Sequence, residues 1–182
     1  MRILLHVCCG PCAIFPLRRL REQGHEVRGL FYNPNIHPFQ EFRRRLDALR
    51  QFAEATGCTV EIDDRYGLQD YLRQVVFHEQ QRCARCYEMR LVRTAEKAVA
   101  DGFDGFTTTL LYSKYQNHRL LRERCEQLAE AHGVGFLYED FRSGWQQGID
   151  ESIGMGLYRQ PYCGCIYSEQ ERYDKRIRQQ QR

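Results

Sequence analysis

Seven of the nine cysteines fall in three tight groups whose residue type and spacing indicate metal or redox chemistry. The groups are CCGPC at residues 8–12, CARC at 83–86 and CGC at 163–165. Thiolates bind zinc and iron–sulfur clusters, and four of them complete a cluster. In a reducing compartment, such a cysteine count favours metal ligation or redox chemistry over a disulfide scaffold, which an odd number also fits poorly.

Local geometry lets the first two groups aim their sulfurs at one centre. Adjacent residues on a regular strand point to opposite faces, so Cys8 and Cys9 can share a metal only where the strand has ended. Gly10 and Pro11 supply that break. The two cysteines of CARC, Cys83 and Cys86, are three apart and share one side of a helical turn near a predicted helix N-terminus, where the helix dipole favours thiolate.

The third group has the spacing of a redox pair. A Cys-X-Cys ring is tight and strained, and Gly164 relieves the crowding between Cys163 and Cys165. Strained disulfides have higher reduction potentials and are the labile, catalytic ones, so this pair suits redox chemistry better than structural ligation. The two remaining cysteines, Cys58 and Cys125, are isolated and are expected to act as small core hydrophobes.

A structural zinc site built from the first two groups remains an alternative to an iron–sulfur centre. Zinc sites usually combine spaced knuckles such as C-x-x-C, and an adjacent Cys-Cys pair is less usual in them. Other cofactor signatures are missing, because no GxGxxG follows a strand and there is no Walker loop. The sequence therefore does not indicate a nicotinamide or nucleoside triphosphate enzyme.

Composition indicates one globular domain over residues 1–182. Hydrophobic residues make up 42% of the chain and charged residues 28%, and no apolar run approaches the length of a membrane span. The first ten residues, MRILLHVCCG, are followed by no small-residue cleavage site and fit a buried strand. We therefore expect a cytoplasmic protein without a membrane partner.

The charge is mildly positive and unevenly distributed. Net charge is +3 with an isoelectric point of about 8.4, below the range that by itself marks a nucleic-acid binder. Basic residues form a run at Arg43, Arg44 and Arg45, and the chain ends in KRIRQQQR. Such runs are typical either of a solvated helix face or of contacts with phosphate.

Alternating strands and helices must position the cysteine groups. The patterns predict strands at 3–7, 27–32, 59–62, 105–111 and 134–138, and helices at 15–23, 39–56, 68–77, 83–100, 118–132, 145–155 and from Ser168, as N-cap, to the end. This alternation predicts a doubly wound, mostly parallel α/β sheet of about five strands with helices on both faces, a Rossmann-like architecture. Such sheets place their sites beyond the carboxyl ends of the strands, where Cys8 and Cys9 lie.

Several segments closely resemble one known family. LLHVCCGPC, FYNPNIHP, RCARCYEMRL, TTTLLYSKYQ and GLYRQPYCGCIYS resemble the cobalamin-independent epoxyqueuosine reductases of the QueH type. The resemblance extends from residue 3 to about 168, and the order CC, CxxC, YCGC is specific. It implies a fold similar to the nucleotide-binding α/β group that includes ATP-pyrophosphatase-type tRNA modifiers, without the pyrophosphate loop.

The resemblance implies the last step of queuosine synthesis. Epoxyqueuosine at the anticodon wobble position of tRNA loses its epoxide oxygen and becomes queuosine. A four-iron, four-sulfur cluster is implied, with Cys8, Cys9, Cys83 and Cys86 as ligands and Cys163–Cys165 as a redox-active disulfide. The family is also associated with a second, adjacent iron, for which Cys12 is our candidate ligand.

The chemistry sets further requirements. Converting an epoxide to an alkene takes two electrons and two protons and releases water, so an external electron donor and a nearby acid are needed. A second redox centre beside the cluster is useful, and the Cys163/Cys165 dithiol or a neighbouring iron could supply it. Our candidates for the acid are Tyr32, His37, Tyr112 and Tyr115. Each has an alternative role in packing or backbone hydrogen bonding.

A tRNA substrate requires phosphate contacts and aromatic stacking for an extruded base. Candidates for phosphate binding are Arg43, Arg44, Arg45, Lys175, Arg176 and Arg178, and those for stacking are Tyr158, Tyr162 and Tyr167. Two other classes of function stay open on the residues alone. One is a zinc-stabilised tRNA-binding module without catalysis, and the other is a thiol–disulfide oxidoreductase acting on protein partners.

Overall fold

A computed structural model describes residues 1–176 and has a five-stranded, fully parallel sheet at its centre. The strands are β1 (Arg2–His6), β2 (Glu26–Phe31), β3 (Val60–Ile62), β4 (Gly105–Thr108) and β5 (Gly135–Phe136). They lie in the order β3-β2-β1-β4-β5, with Ile3 of β1 paired to Val27 and to Gly105. The predicted doubly wound sheet is thus confirmed.

Seven helices flank the sheet in the described part of the chain. They are α1 (Gly10–Glu22), α2 (Phe39–Thr56), α3 (Leu68–Val75), α4 (Arg82–Ala100), α5 (His118–His132), α6 (Trp145–Gly154) and α7 (Ile166–Tyr173). Helix α1 packs against α2 and α6, whereas α4 packs against α3 and α5. The two groups cover opposite faces of the sheet, as right-handed crossovers require.

The central strand is buried on both sides. Residues from Ile3 to Val7 are shielded from solvent, together with Phe31 of β2 and Phe106 of β4. Parallel strands covered on both faces read as continuous apolar runs, which explains the Ile-Leu-Leu sequence of β1. Burying each large apolar side chain contributes about 1.5–3 kcal/mol, so the sheet centre is a rigid base for residues at its carboxyl edge.

Several element boundaries differ from the sequence predictions, including those of α3 and β5 and the end of α7 at Tyr173, and three of the differences have a clear local cause. Helix α1 begins at Gly10 rather than at residue 15, because Pro11 occupies the first turn, where a missing N–H costs no hydrogen bond. Strand β4 ends at Thr108, whose hydroxyl accepts from the Leu110 N–H and starts a 3₁₀ turn. The N-cap of α7 is Cys165, not Ser168, and its sulfur accepts from the Ser168 N–H at 3.4 Å.

Helices α2 and α5 match their predicted bounds, and α5 is capped by the Asn117 side chain, which accepts from the Leu120 N–H. Among the helices within residues 1–176, none combines the length and apolar character needed to cross a membrane. Arg178, a candidate for phosphate binding, lies outside the described residues.

Candidate metal centre

The first cysteine group lies where the strand order reverses. Strands β1 and β4 are neighbours, and the chain leaves them toward opposite edges of the sheet. Cys8 follows β1 and Thr109 follows β4, so the two residues meet at the carboxyl edge. The Cys8 N–H donates to the Thr109 hydroxyl at 3.1 Å, and that hydroxyl donates to the Cys8 sulfur at 3.3 Å. This is the crevice where doubly wound sheets bind ligands.

Three sulfurs of the first group gather in this crevice. The Sγ atoms of Cys8, Cys9 and Cys12 all lie within 4.8 Å of one another, so the three cysteines can hold a metal ion. Cys9 is the N-cap of α1 with an extended backbone, which turns its sulfur toward that of Cys12 in the first helical turn. A Cβ at Gly10 would lie 2.5 Å from the Ala48 carbonyl oxygen, so only glycine allows α1 to begin here against α2.

Hydrogen bonds divide the protons unequally among these sulfurs. Hydrogen bonds with the Cys12 and Cys9 thiols and with the Thr109 hydroxyl hold the pKa of Cys8 well below its usual value. Burial raises the pKa of Cys9, and the hydrogen bond to Cys8 raises that of Cys12. The group therefore loses its first proton most readily at Cys8, and a metal ion would displace the protons of the other two thiols.

The second group lies in the first turn of α4. Cys83 is exposed, whereas Cys86 is buried and its pKa is raised to about 12 by that burial. Arg90, one turn further on, is 2% exposed. Its guanidinium donates to the Cys86 sulfur and to the Cys86 carbonyl, each at 3.1 Å. A buried cation is therefore in place to compensate a Cys86 thiolate once a metal ion displaces the thiol proton.

Arg90 also connects the three groups electrostatically. Burial lowers its pKa, but Cys86, Cys163 and Cys8 outweigh this effect and raise the pKa above the usual value. One cysteine of each group therefore lies near the same buried guanidinium. The donor set and its countercharge fit a thiolate-ligated metal or iron–sulfur centre.

The third group is held in place by α2. Arg45 is 1% exposed and donates to the Cys163 carbonyl at 2.8 Å and to the Tyr162 carbonyl at 2.9 Å. Its Nε donates to Glu41 at 2.7 Å, and the other oxygen of Glu41 accepts from the Tyr158 hydroxyl at 2.5 Å. A buried, fully bonded ion pair therefore fixes the backbone that carries CGC.

A second set of contacts fixes the middle of the loop. The His37 N–H donates to the Gly164 carbonyl at 2.8 Å, and the His37 carbonyl accepts from the Tyr162 hydroxyl at 2.6 Å. Gly164 has a φ of +156°, and a Cβ there would lie 2.9 Å from the Asn35 amide nitrogen. The absence of a side chain at Gly164 therefore lets this loop pack closely against residues 33–38.

The two CGC thiols have different surroundings. Cys165 is buried against Tyr71, Val75 and Cys86, next to the second group. Cys163 is exposed, and its sulfur accepts from the Gln116 amide at 3.3 Å. All nine cysteines are free thiols in the structure, and Cys58 and Cys125 are buried, as predicted.

A cavity of about 720 Å³ opens over the first and third groups. Its wall includes Cys8, Cys12, Arg90 and Cys163. Gln160 also lines it, accepting from the Cys9 sulfur at 3.3 Å and donating to the Cys12 sulfur at 3.2 Å. The volume lies in the range of small-ligand pockets.

The four acid candidates separate into two pairs. Tyr112 and Tyr115 line the cavity. Tyr112 is buried and donates to the Trp145 carbonyl, and burial raises its pKa. Tyr32 and His37 lie outside the cavity wall. His37 bonds the Pro34 carbonyl at 3.0 Å, and burial lowers its pKa to about 4.

The candidates for tRNA binding also differ in accessibility. Exposed members are Arg43, Arg44, Lys175 and Arg176, whereas Tyr158, Tyr162 and Tyr167 are half-buried. Arg44 lies 5.8 Å over the Tyr158 ring, and Arg176 pairs with Asp174. Arg45 is buried inside the fold and cannot reach a phosphate, so that part of the prediction is corrected.

Sequence reasoning missed Arg90, Glu41, Gln116 and Gln160. Two of them had a usable signal, because Arg90 stands four residues after Cys86 on the inner face of a helix and Gln160 stands three before Cys163. Glu41 and Gln116 lie far from the cysteines they serve, and only the folded chain shows their contacts.

Comparison with known proteins gives a consistent result. The family model described as Epoxyqueuosine reductase QueH matches residues 3–171. The chain is 37% identical over 174 residues to a Dehalococcoides mccartyi protein named epoxyqueuosine reductase QueH, covering 96% of both chains. It is 34% identical over 188 residues to the protein of that name from Thermotoga maritima, covering 95% of this chain and 93% of the relative.

Proposed function

The chain belongs to the epoxyqueuosine reductase QueH family, and we propose that it reduces its substrate with a four-iron, four-sulfur cluster held by its cysteines. It is an epoxyqueuosine reductase, an oxidoreductase of queuosine synthesis whose substrate is tRNA. The reaction removes the epoxide oxygen of epoxyqueuosine at the anticodon wobble position. Because tRNA is its substrate, we assign the protein to the cytoplasm.

One observation carries the proposal. Cysteines from three distant parts of the chain interact electrostatically with one buried cation, Arg90, which bonds the Cys86 sulfur and lines a cavity large enough for a modified nucleoside. A structural zinc knuckle needs no such cavity, and a plain dithiol enzyme needs no Cys-Cys or CxxC group.

The proposed cluster ligands are Cys8, Cys9, Cys83 and Cys86, and Cys12 is the proposed ligand of a second iron. When bound, these groups supply single electrons and a Lewis-acid position for the epoxide oxygen. The clustered sulfurs of Cys8, Cys9 and Cys12 support their part of this assignment, and the Arg90 guanidinium at the Cys86 sulfur supports that of Cys86.

The CGC dithiol can supply the two electrons and two protons that the reaction consumes. Oxidation of Cys163 and Cys165 to a disulfide releases two electrons and two protons, which is what an epoxide needs to become an alkene and water. Cys163 lies in the cavity wall, which supports its role as the thiol nearest the substrate. An external electron donor must then reduce the disulfide before the next turnover.

We propose Tyr112 as the residue that protonates the departing oxygen. It is the buried member of the two candidates in the cavity wall, and its raised pKa keeps the phenol protonated at neutral pH. Its hydroxyl donates to the Trp145 carbonyl and must turn from that oxygen to the departing oxygen of the substrate. In a single turnover, Tyr112→Phe should slow reduction by about 100-fold, as removal of a general acid does. An unchanged rate would exclude Tyr112 from this role.

The proposal is tested on protein purified without oxygen. Iron, acid-labile sulfide and zinc are quantified, absorption is recorded before and after dithionite, and tRNA carrying epoxyqueuosine is analysed by mass spectrometry after one turnover. Near-equal iron and sulfide, bleaching on reduction and conversion to queuosine are expected. Colourless zinc protein that stays so after reconstitution would favour a binding module, and reduction without iron would favour a thiol oxidoreductase.

A further inference from the structure

An aromatic corner stands at one side of the cavity. The rings of Tyr112 and Trp145 lie 5.1 Å apart at 30°, and the ring of Tyr115 meets that of Trp145 at 5.8 Å and 77°. All three residues line the cavity, and Tyr115 is 84% exposed. A residue so exposed is poorly suited to act as a buried acid, but its ring offers a free face.

The corner is anchored from behind. The Tyr112 hydroxyl donates to the Trp145 carbonyl at 2.8 Å, which fixes the first residue of α6. The Tyr115 N–H donates to the Ser113 hydroxyl at 3.2 Å, in the short segment between the 3₁₀ turn and α5. Tyr112 and Trp145 are therefore anchored to each other before any ligand arrives, and the Tyr115 backbone is fixed beside them, which reduces the entropy lost on binding.

Positive charge lies next to the corner. The Lys114 ammonium lies 5.7 Å over the Trp145 ring, and Arg159 lines the cavity beside Gln160. Both cations are exposed, and neither forms an ion pair within residues 1–176. Aromatic faces with adjacent free cations are the combination that single-stranded nucleic acid requires.

We infer that Tyr115 and Trp145 form a stacking platform for a nucleotide extruded from the anticodon loop, with Lys114 and Arg159 binding its flanking phosphates. This inference rests on the proposed function and adds where the substrate enters. The platform replaces the tyrosines beside CGC as the principal stacking surface. Tyr158 and Tyr162 have their hydroxyls bonded to Glu41 and to the His37 carbonyl and build the loop support instead.

The platform explains how a base reaches the thiols. Its rings line the same cavity whose wall carries Cys8, Cys12 and Cys163. A base stacked on Tyr115 is therefore already inside the space over the metal centre. Stacking of the unpaired base therefore also places its modified side chain next to the thiols.

Trp145 makes a direct test possible because it is the only tryptophan of the chain. The protein, purified anaerobically with its metal centre loaded, is titrated with two anticodon stem-loop hairpins that differ only in having a base or an abasic site at the wobble position. Affinity is read from the anisotropy of a dye on the hairpin stem, and stacking from the quenching of Trp145 emission. Variants are Tyr115→Ala, Tyr115→Phe and Tyr138→Ala, the last being an exposed tyrosine outside the cavity wall.

Tyr115→Ala should weaken binding of the base-containing hairpin by about tenfold, in line with the loss of one base–aromatic stack, and leave the abasic hairpin unaffected. Tyr115→Phe keeps the ring and should restore the base-dependent binding that Tyr115→Ala loses, whereas Tyr138→Ala should bind both hairpins like the original. Only the base-containing hairpin should quench Trp145. The platform would be refuted if the original protein and Tyr115→Ala each bound the two hairpins with equal affinity. It would also be refuted if the two hairpins quenched Trp145 emission equally.

The outcome is separable from that of the proposed function. Loss of the base-dependent effect with epoxyqueuosine still reduced would refute only the platform. Base-dependent quenching in a protein that never reduces epoxyqueuosine would refute the reductase proposal and leave the platform as an RNA-binding site.

Discussion

The CCGPC group and the CGC group are positioned in opposite ways. The sulfurs of Cys8, Cys9 and Cys12 are brought within 4.8 Å by the end of a strand and one helical turn, all inside five residues. The CGC loop has no regular structure of its own and is held by Arg45, 118 residues earlier in the chain. A cluster of three sulfurs can thus be built locally, whereas the loop with the proposed redox pair is held by distant residues.

The difference has an energetic consequence. The CCGPC group depends on backbone geometry that β1 and α1 already fix, so bringing its sulfurs together costs little additional free energy. The CGC loop depends on a buried ion pair, in which the loss of either partner leaves an uncompensated charge. We therefore expect changes at the first group to affect the metal and changes around the third to affect stability and the loop.

The largest effect is expected at Cys9. Cys9→Ala removes one of the three clustered sulfurs, and both metal content and reduction of epoxyqueuosine should fall by more than about 100-fold, because a cluster needs its full set of thiolates. Iron and sulfide analysis with single-turnover assays measures this. Cys125→Ala, at an equally buried cysteine in the core, is the matched control and should keep its iron. A Cys9→Ala protein with full iron content would show that the local group is not the metal site.

The next effect is expected at Arg45 and sharpens the contrast. Arg45→Met leaves the Glu41 carboxylate buried without its cation and should lower the free energy of unfolding by about 3–5 kcal/mol. Adding Glu41→Gln removes the stranded charge, so the double variant should be more stable than Arg45→Met alone. Urea unfolding measures both. Arg45 also favours the thiolate of Cys9, so the variant should hold its iron less tightly but keep more of it than Cys9→Ala does below the transition. Iron loss as complete as in Cys9→Ala would show that the two regions are not positioned separately.

Arg90 tests the point where the two regions meet. Arg90→Met removes the donor to the Cys86 sulfur, and the metal should be released to a chelator about 10- to 100-fold more readily, as is typical when a group outside the ligand set is lost. Arg93→Met, on the exposed side of the same helix, is the control. The iron lost with time in chelator gives the comparison. Equal retention in the two variants would mean that Arg90 is not needed to compensate the thiolates.

Sequence patterns predicted the first region better than the third. A run of apolar residues ending before CCGPC placed those cysteines at the carboxyl edge of a central strand, and the strand and the parallel order are confirmed. The periodicity of α2 and α5 gave their bounds because both have clear start and stop signals. Local rules suffice where neighbouring residues determine the structure.

Long-range partners could not be predicted in the same way. Arg45 belongs to a run of three arginines, and helical periodicity places it on the face of Phe42 and Leu49, away from the exposed Arg43 and Arg44, but gives no partner for its charge. The carbonyl groups that its guanidinium binds, those of Tyr162 and Cys163, come from the distant CGC loop and meet Arg45 only in the folded chain. The helix start at Cys165 rather than Ser168 has the same origin, because a sulfur serves as the cap only in the folded loop.

The smallest effect concerns pH and His37, which supports the CGC loop through its backbone. Its side chain is buried against Tyr66 and Tyr71, and burial lowers its pKa from the usual 6.5 to about 4. The unfolded chain takes up a proton below pH 6.5 that the folded chain refuses until about pH 4, so stability must fall as the pH drops through this window. The loss between pH 7 and pH 5 should be about 2 kcal/mol.

His37→Gln should remove this part of the pH dependence, whereas His78→Gln, at an exposed histidine, should retain it. Urea unfolding of the three proteins at pH 7 and pH 5 gives the comparison, in which every other titrating group contributes equally and cancels. A steeper loss of stability in the original than in His37→Gln would confirm that the residues around His37, which support the CGC loop, exclude water. Parallel losses in all three would mean that water reaches His37, and the CGC loop would then be held less rigidly than the first cysteine group.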